Sequence, residues 1–204
     1  MILDVDHSVL LISWIFYGFL HSALAATRVK SFFSTLLGAY FRYYRLFYSI
    51  FAAISLASIL IYQYSFYSPL LLQVPEPVRW LMIPFLLAGL LIMAICIRKY
   101  FYYLSGIDVL FPKPAETKLD TGGIHQYVRH PLYSGTLLTI WALLILFPYS
   151  NNLIAATVIT AYTILGAGFE ERKLIRQFGS AYIDYKHKVP MLIPFLFRKK
   201  ILNN

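Results

Sequence analysis

The feature that most constrains the fold of this chain is a series of five long apolar runs. They cover residues 9–26, 44–64, 80–97, 133–147 and 153–169. A helix needs about 20 apolar residues to cross a bilayer, with a range of about 17 to 25. The fourth run is the shortest, and we expect its flanks to extend it. The pattern predicts an all-α, polytopic membrane protein with about five transmembrane helices, forming one domain over 1–204 with three spans in 1–97 and the rest in 98–204.

Composition supports a bilayer setting and argues against two other classes of protein. Of the 204 residues, 59% are hydrophobic and only 13% are charged, too few for the wet surface of a soluble domain. The net charge of +9 is not gathered into a basic stripe on a soluble fold, so no nucleic-acid partner is expected. Cys96 is the only cysteine and lies in an apolar run, which excludes an intrachain disulfide and a cysteine-cluster metal site. No metal is expected.

The positions of the basic residues predict how the spans are oriented. With the N-terminus outside, Arg79 alone faces outward and every other lysine and arginine lies on the cytoplasmic side. The positive-inside rule therefore predicts an N-out, C-in protein, and we expect a bacterial inner membrane as its location. The first run follows Asp4 and Asp6 rather than a basic segment, so we expect a retained span and not a signal peptide.

Two segments outside the runs carry signals of their own. The polar segment 98–132 is long, and loops of this length in compact folds are commonly functional. After the fifth run, Leu174, Phe178 and Tyr182 recur every four residues, and the basic stretch Lys186-His187-Lys188 follows. We predict that this stripe belongs to a C-terminal interfacial amphipathic helix.

Polar clusters at the two ends of the last helical hairpin are predicted to meet. His130 and Glu170 are forty residues apart. Two spans of about 24 Å each, joined by a tight turn, return the chain to the same membrane face. Arg129, His130 and the Glu170-Glu171 pair therefore converge. Each could instead be a snorkelling anchor or a solvated carboxylate paired with Lys173, but ionisable groups that meet at span ends usually mark a site.

These two clusters and the residues after them form a motif that resembles a known enzyme family. The first part is Arg129-His130-Pro131-x-Tyr133-x-Gly135, and the second runs from Glu170-Glu171 through Leu174, Phe178-Gly179, Tyr182, Tyr185 and Val189-Pro190 to Pro194. The pattern is similar to that of isoprenylcysteine carboxyl methyltransferases and their bacterial relatives, which include phospholipid methyltransferases. This resemblance implies a membrane-embedded methyltransferase that binds S-adenosylmethionine in a cytoplasmic pocket built from the two motifs.

The resemblance also implies which residues form the site. The implied cofactor-binding residues are Gly123, His125, Tyr127, His130, Pro131, Tyr133, Gly135, Glu170, Glu171 and Tyr182, and the implied catalytic residues are Arg129, Glu170 and Lys188. The chemistry of the cofactor agrees, because its ammonium and sulfonium groups favour carboxylates and its carboxylate favours a cation such as Arg129 or His130. Aromatic side chains such as Tyr127 and Phe178 suit its adenine ring.

The methyl acceptor is left open between a lipophilic or small thiol, a carboxylate and an amine, with membrane lipids as partners. A thiolate or carboxylate needs no general base, whereas an amine needs one, for which Glu170 or His130 is best placed. Arg129 or Lys188 could hold a carboxylate. The family commonly has a more arginine-rich stretch where this chain has Lys186-His187-Lys188. This departure weakens the case for a prenylcysteine carboxylate, because lysine lacks the bidentate fork of arginine.

Two other functions are consistent with parts of the same pattern. Membrane sterol reductases have a related Arg-His-x-x-Tyr-x-Gly segment and use NADPH, but Pro131 and Glu170-Glu171 favour a methyltransferase. A non-enzymatic membrane scaffold of the same fold is the other alternative. More loosely, His21-Ser22 in the first run resembles the bacterial branch that contains methanethiol S-methyltransferases and NnrU-like proteins. His21 is then either functional or a packed, hydrogen-bonded residue.

Overall fold

The chain folds as a bundle of helices in the computed structural model, which describes residues 4–109 and 119–194, without the side chains of 102–104 and 108. The helices are α1 (Val5–Ala25), α2 (Thr27–Leu37), α3 (Tyr44–Gln63), α4 (Glu76–Ser105), α5 (Pro131–Leu146), α6 (Ser150–Phe178) and α7 (Ser180–Lys188). Short 3-10 turns cover Gly38–Tyr43, Ile107–Val109 and Gly123–Gln126. Within the described residues, the β-type pairing consists of one isolated bridge between Leu70 and Tyr149. The predicted all-α class is confirmed.

Within the described ranges, four helical stretches are long and apolar enough to cross a membrane, which indicates an integral membrane protein. They are Val5–Ala25, Thr27–Gln63, Glu76–Phe101 and Ser150–Phe178. The predicted fourth span corresponds to α5, which has only 16 residues. At about 1.5 Å per residue it is shorter than the ~30 Å hydrocarbon core, so helix length does not confirm the predicted count of five spans.

The end of α4 differs from the sequence-based boundary. The polar segment was expected to begin at residue 98, but α4 continues through Ser105 and ends at Gly106 with φ +77°. A side chain at Gly106 would meet the backbone of Arg45 and Leu46, with an added Cβ 2.6 Å from the Leu46 nitrogen. A glycine is therefore needed where the end of α4 touches the start of α3.

The C-terminal helix is also divided differently from the prediction. The apolar stripe through Leu174, Phe178 and Tyr182 was expected to lie on one helix, but the chain turns at Gly179, whose φ is +58°. The separate helix α7 packs back on the end of α6, where it buries Tyr182 and Tyr185 against Leu174. The stripe thus belongs to two helices that pack on each other.

We call the end of the bundle that carries 119–130 and 170–194 the motif end, and the other end the distal end. A network of buried amides closes the distal end. The Gln63 side chain donates to Asn152 Oδ1 at 2.9 Å and accepts from Trp14 Nε1 at 3.1 Å. Asn151 Nδ2 donates to the Gln63 carbonyl oxygen at 2.8 Å. Because these buried polar groups satisfy one another, they hold the α5–α6 turn against α1 and α3.

Helices α4 and α5 share the most extensive contact in the bundle. Two glycines allow their backbones to approach closely, since a Cβ on Gly89 would lie 2.9 Å from the Gly135 carbonyl oxygen and 2.5 Å from Thr139 Oγ1. Gly135 is part of the predicted motif, and its immediate surroundings are those of a helix contact. This contact sets the position of α5, which begins at Pro131 directly after Arg129 and His130.

Candidate functional site

The two halves of the motif meet at the motif end, as their spacing predicts. Arg129 precedes the first turn of α5, and Glu171 lies near the end of α6. Arg129 Nε donates to Glu171 Oε1 at 2.7 Å, and Nη2 donates to the same oxygen. The Arg129 and Glu171 side chains are only 7% and 6% exposed, so this is a buried ion pair.

Arg129 also holds the segment that follows α7. Its Nη1 donates to the carbonyl oxygen of Lys186 at 3.1 Å and to that of Val189. The backbone nitrogen of Arg129 donates to the Pro190 carbonyl at 2.9 Å, and that of His130 donates to the Met191 carbonyl at 3.1 Å. The guanidinium therefore clamps the C-terminal segment onto the start of α5 and is largely occupied by protein partners.

Glu171 is paired with a second cation as well. Lys186 Nζ lies 2.8 Å from Glu171 Oε2, so each carboxylate oxygen faces a positive charge. Lys186 is the lysine that reaches this carboxylate, whereas the sequence analysis named Lys188, as a catalytic residue that could hold a substrate carboxylate. Lys188 is exposed and lines a surface groove of about 310 Å³ together with Tyr185. The two lysines of the basic stretch Lys186-His187-Lys188 therefore have different surroundings: Lys186 contacts Glu171, and Lys188 lines the groove.

Glu170 has a different environment from its neighbour. Its side chain is 46% exposed, and its Oε2 lies 3.5 Å from His130 Nδ1. The His130 ring stacks on Tyr133, with 5.4 Å between centroids and an interplanar angle of 12°. The Tyr133 hydroxyl also interacts with the Glu170 carboxylate. Glu170 therefore presents an accessible negative charge beside a histidine and a tyrosine.

Two buried polar atoms next to this cluster lack a hydrogen-bond partner. In the part of the chain that the structure describes, these are His130 Nε2 and the Tyr182 hydroxyl. His130 Nε2 lies 3.5 Å from Glu171 Oε1, and Arg129 lies near the Tyr182 hydroxyl, but neither contact has hydrogen-bonding geometry. Buried polar atoms are normally hydrogen-bonded, so each of these atoms has capacity for a hydrogen bond to a ligand beside its charged neighbour.

The loop before α5 is held by residues that the sequence analysis missed. Lys99 at the end of α4 pairs with Asp120, and the Tyr100 hydroxyl donates to Asp120 Oδ2 at 2.5 Å. The Tyr100 oxygen also lies 2.9 Å from His125 Nε2, and the Tyr185 hydroxyl donates to the His125 carbonyl at 2.6 Å. A signal for Asp120 existed in the sequence, because a short carboxylate two residues before Gly122 commonly accepts its N–H, as it does here at 3.2 Å.

Electrostatics in this loop follow from these contacts. Burial raises the pKa of the Asp120 carboxyl, but hydrogen bonds from Lys99, Tyr100 and the Gly122 N–H outweigh it and lower the pKa to about 2. Burial lowers the pKa of His125 below its ordinary value, with Asp120 opposing this only in part. Asp120 is therefore a permanent negative charge, and His125 favours its neutral form.

The remaining predicted site residues lie at the motif end with varying exposure. Gly123 is exposed with φ +56°, and Tyr127 is exposed. Pro131 is the buried first residue of α5. The structure thus brings Arg129, His130, Tyr133, Glu170, Glu171 and Tyr182 into one cluster. His125 touches this cluster through Arg129, whose carbonyl oxygen lies 3.3 Å from His125 Nδ1. For Gly123 and Tyr127, membership of the site stays a prediction.

Comparisons with known proteins identify the same region. The phospholipid methyltransferase family profile matches residues 82–181. A methanethiol S-methyltransferase of Bradyrhizobium diazoefficiens is 43% identical over 38% of this chain and 29% of that enzyme. One from Crocosphaera subtropica is 40% identical over 40% of this chain and 31% of its own length. The protein-S-isoprenylcysteine O-methyltransferase of Schizosaccharomyces pombe is 37% identical over 38% of this chain and 34% of that enzyme.

The matches to these relatives cover only part of each chain. The chain aligns with about a third of the length of these three relatives. No solved structure matches the chain significantly. The family match contains the first part of the motif and the start of the second, including Arg129 and Glu171, which meet in the structure. Residues 82–181 are thus similar to the phospholipid methyltransferase family, and the chain is similar over part of its length to methanethiol S-methyltransferases and to a protein-S-isoprenylcysteine O-methyltransferase.

Proposed function

We propose that this protein is a membrane-embedded, S-adenosylmethionine-dependent methyltransferase whose acceptor is a small thiol. The observation that carries the proposal is the cluster of His130, Glu170 and Tyr182 within the family motif. It combines an accessible carboxylate with two buried polar atoms that make no regular hydrogen bond among the described residues. Such a combination is unusual in a purely structural contact and is typical of a ligand site.

The residues of this cluster fit S-adenosylmethionine. When bound, that molecule supplies a methyl group on a positively charged sulfur, and it carries an ammonium and a carboxylate. Glu170, half exposed, would hold the ammonium. His130 Nε2 and the Tyr182 hydroxyl would donate hydrogen bonds to the carboxylate, which gives both buried atoms a partner. Tyr127 and Tyr133 would supply aromatic surface for the adenine ring.

We propose supporting roles for Arg129 and Glu171. The sequence suggested that these residues would contact cofactor or substrate directly. Their mutual ion pair, and the contacts of Arg129 with the carbonyls of Lys186 and Val189, favour a role in holding the C-terminal segment over the site. Gly123, His125, Pro131 and Gly135 would then shape the loop and helix on which the binding residues stand. Lys188, in the neighbouring groove, would act at the mouth of the site.

The orientation in the membrane is part of the same proposal. Among the described residues, the motif end carries the basic residues Lys99, Arg129 and Lys186, whereas Arg79 lies on α4 near the distal end. We propose that the motif end faces the cytoplasm of a bacterial cell, where S-adenosylmethionine is available, and that the N-terminus is outside.

A small thiol is the acceptor that the relatives favour, since the two bacterial relatives described above are methanethiol S-methyltransferases. The structure adds a second reason. Lys186, which could have bound a prenylcysteine carboxylate, is already paired with Glu171. A thiol needs no such cation. The methyl group would move by in-line displacement, for which the chain supplies alignment and exclusion of water.

The test is calorimetric titration of the purified protein with S-adenosylmethionine and with NADPH, followed by transfer of a labelled methyl group to methanethiol. We expect S-adenosylmethionine to bind and methanethiol to be labelled. Binding of NADPH in its place would contradict the proposal in favour of a reductase. Binding of neither would favour a scaffold.

A matched pair of variants tests the site itself. Glu170→Gln should weaken S-adenosylmethionine binding at least tenfold, because it removes the charge opposite the ammonium. Glu76→Gln, the same change at an exposed glutamate near the distal end, should leave binding unchanged. Equal affinities in the two variants would contradict the assigned role of Glu170.

A further inference from the structure

A second polar cluster lies inside the bundle, on the membrane side of the motif end. His21 on α1 faces Tyr48 on α3, whose hydroxyl oxygen lies 2.8 Å from Nδ1 and 3.0 Å from Nε2 of the imidazole. Tyr17 stacks on His21 at 5.9 Å, and Tyr162 on α6 meets it edge-on at 6.4 Å. Three helices therefore place one imidazole among three tyrosines within segments that are long and apolar enough to span a membrane.

The hydrogen bonding of His21 leaves a ring nitrogen available. The Tyr48 hydroxyl has one hydrogen, yet it lies within 3.0 Å of both ring nitrogens and of the His21 carbonyl oxygen. A single hydroxyl cannot serve as partner to both nitrogens in good geometry at once. When the hydroxyl donates its hydrogen to the His21 carbonyl oxygen, its oxygen accepts from the protonated ring nitrogen, and the other ring nitrogen keeps a lone pair that can accept a proton from another molecule. The His21 ring is also only half buried, unlike a histidine that is enclosed by packing.

Tyr133 links this cluster to the proposed cofactor site. Its ring stacks on His130, its hydroxyl interacts with Glu170, and it is close enough to Tyr162 and Tyr48 for an electrostatic influence. Tyr162 precedes Glu170 by eight residues on α6, a rise of about 12 Å. A tyrosine side chain spans about half of that length. An acceptor beside His21 would thus lie on the membrane side of a donor held by His130 and Glu170.

The composition of the cluster indicates an uncharged acceptor. The ring contacts of His21 are with Tyr17, Tyr48 and Tyr162, none of which is charged at neutral pH. A carboxylate or an ammonium would lose its hydration here without gaining an ionic partner, which is costly. A thiol enters neutral, packs its polarisable sulfur against aromatic rings, and carries one acidic hydrogen.

We propose that His21, Tyr48 and Tyr162 form the acceptor site and that His21 is the general base that deprotonates the thiol. This assignment rests on the proposed function. The S–H bond breaks as its proton passes to the free ring nitrogen of His21. The sulfur electron pair forms the new S–CH₃ bond, while the bond between the methyl carbon and the donor sulfonium breaks and leaves its electrons on that sulfur. The imidazolium then releases its proton.

The test measures methyl transfer to ethanethiol as a function of pH in the wild type and in His21→Gln. A free thiol has a pKa of about 8.5 or above, so little thiolate exists at pH 7. We expect His21→Gln to lower kcat/KM about 100-fold at pH 7 and to recover about tenfold per pH unit as the thiol ionises unaided. The wild type should depend far less on pH over the same range. Identical pH profiles would overturn the assignment.

A binding measurement separates this role from simple structural support. Ethanethiol should bind the protein without S-adenosylmethionine, and Tyr48→Phe should weaken that binding about tenfold while the affinity for S-adenosylmethionine stays within twofold. Unchanged ethanethiol binding in Tyr48→Phe would contradict the site.

The matched control is His7→Gln, the same change on the same helix at the distal end, where His7 contacts Ser68. It should keep the wild-type pH profile. If wild-type protein labels thiols while His21→Gln matches it at every pH, only this inference fails. If wild-type protein transfers no methyl group to any thiol, the proposed function fails and the inference with it.

Discussion

At the scale of single residues, the same motif contains side chains with opposite surroundings. Glu170 and Glu171 are neighbours in the sequence, yet Glu170 is half exposed and Glu171 lies buried between Arg129 and Lys186. Adjacent positions on a helix point about 100° apart, so Glu170 faces the proposed cofactor site and Glu171 faces Arg129 and Lys186. We therefore expect substitutions at the two positions to separate ligand binding from stability.

Glu171→Gln should destabilise the protein by about 3–5 kcal/mol, because it leaves the buried Arg129 guanidinium without its counter-charge. The measurement is the free energy of unfolding in detergent. Glu76→Gln, at an exposed position, should change it by less than about 0.5 kcal/mol. A small effect of Glu171→Gln would contradict the clamp, since it would mean that Arg129 finds equal partners elsewhere.

His125 should make the stability of the motif end depend on pH. Burial lowers the pKa of its imidazole in the folded protein, so folding favours the neutral form. The contribution of neutral His125 to the free energy of unfolding is complete above its pKa in the unfolded chain, about 6.5. It is lost as the pH falls through the lower pKa that His125 has in the folded protein. Asp120, with a pKa lowered to about 2, contributes constantly throughout this range.

The check is thermal unfolding at pH 8, 6.5 and 5. We expect the wild type to lose stability between pH 6.5 and 5, and His125→Gln to lose less because its amide does not titrate. His187→Gln, at an exposed histidine on α7, serves as the control and should follow the wild type. Parallel curves for wild type and His125→Gln would show that another group is responsible.

At the scale of elements, the contact between α4 and α5 determines where the site begins. An added Cβ at Gly135 would lie 2.9 Å from the Gly89 carbonyl oxygen and 2.9 Å from Ile92 Cγ2. Neither helix can move away freely, because the amide network at the distal end and the Arg129 clamp at the motif end hold the hairpin in place. A glycine of the family motif therefore acts here through packing.

Gly135→Ala should cost about 1–3 kcal/mol of stability, the usual range for overpacking a tight contact. Gly166→Ala provides a matched comparison, because a Cβ at Gly166 meets nothing within 4 Å and its φ is not positive. That change should be neutral or stabilising by up to about 1 kcal/mol. The unfolding free energies of the two variants decide the matter, and equal values would contradict the close approach of α4 and α5.

Helix boundaries were the least predictable property of the elements. The extension of α4 to Ser105 carries Lys99 and Tyr100 to Asp120, a contact between a span end and a distant loop. Likewise, the break at Gly179 lets α7 bury Tyr182 and Tyr185. Both boundaries depend on partners far away in the sequence, so local periodicity could not reveal them.

At the scale of the whole molecule, charge distribution and the helical bundle make a joint prediction about topology. Tyr67 is 85% exposed in the distal loop, and Ile193 is 79% exposed beyond the Arg129 clamp. With the motif end in the cytoplasm, a membrane-impermeant maleimide should label Tyr67→Cys in intact cells. Ile193→Cys should be labelled only after permeabilisation.

The labelling experiment needs a background without the native thiol, and Cys96→Ala supplies it, since Cys96 is buried. Labelling of Ile193→Cys but not Tyr67→Cys in intact cells would reverse the topology. It would also put the proposed cofactor site on the side of the membrane that lacks S-adenosylmethionine.

Much of the site could be predicted because the distance in sequence between the two parts of the motif matches the length of a helical hairpin. The forty residues between His130 and Glu170 suffice to predict that Arg129, His130 and the two glutamates meet, and they do. The pairing within that group could not be predicted. Which glutamate is buried, and whether Lys186 or Lys188 reaches it, depends on the rotation of α6 and on the turn at Gly179.

The sequence by itself determined that the chain is an all-α integral membrane protein, because the apolar content and the length of the runs exclude a soluble surface, and it predicted the resemblance to the methyltransferase family, because the motif has many coupled positions. The tertiary structure decided how the polar residues divide their roles. Whether Arg129 binds a ligand or the C-terminal segment, and what surrounds His21, depends on contacts between helices far apart in the chain. Burial, rather than residue type, sets what a charged or titratable side chain can do in such a bundle.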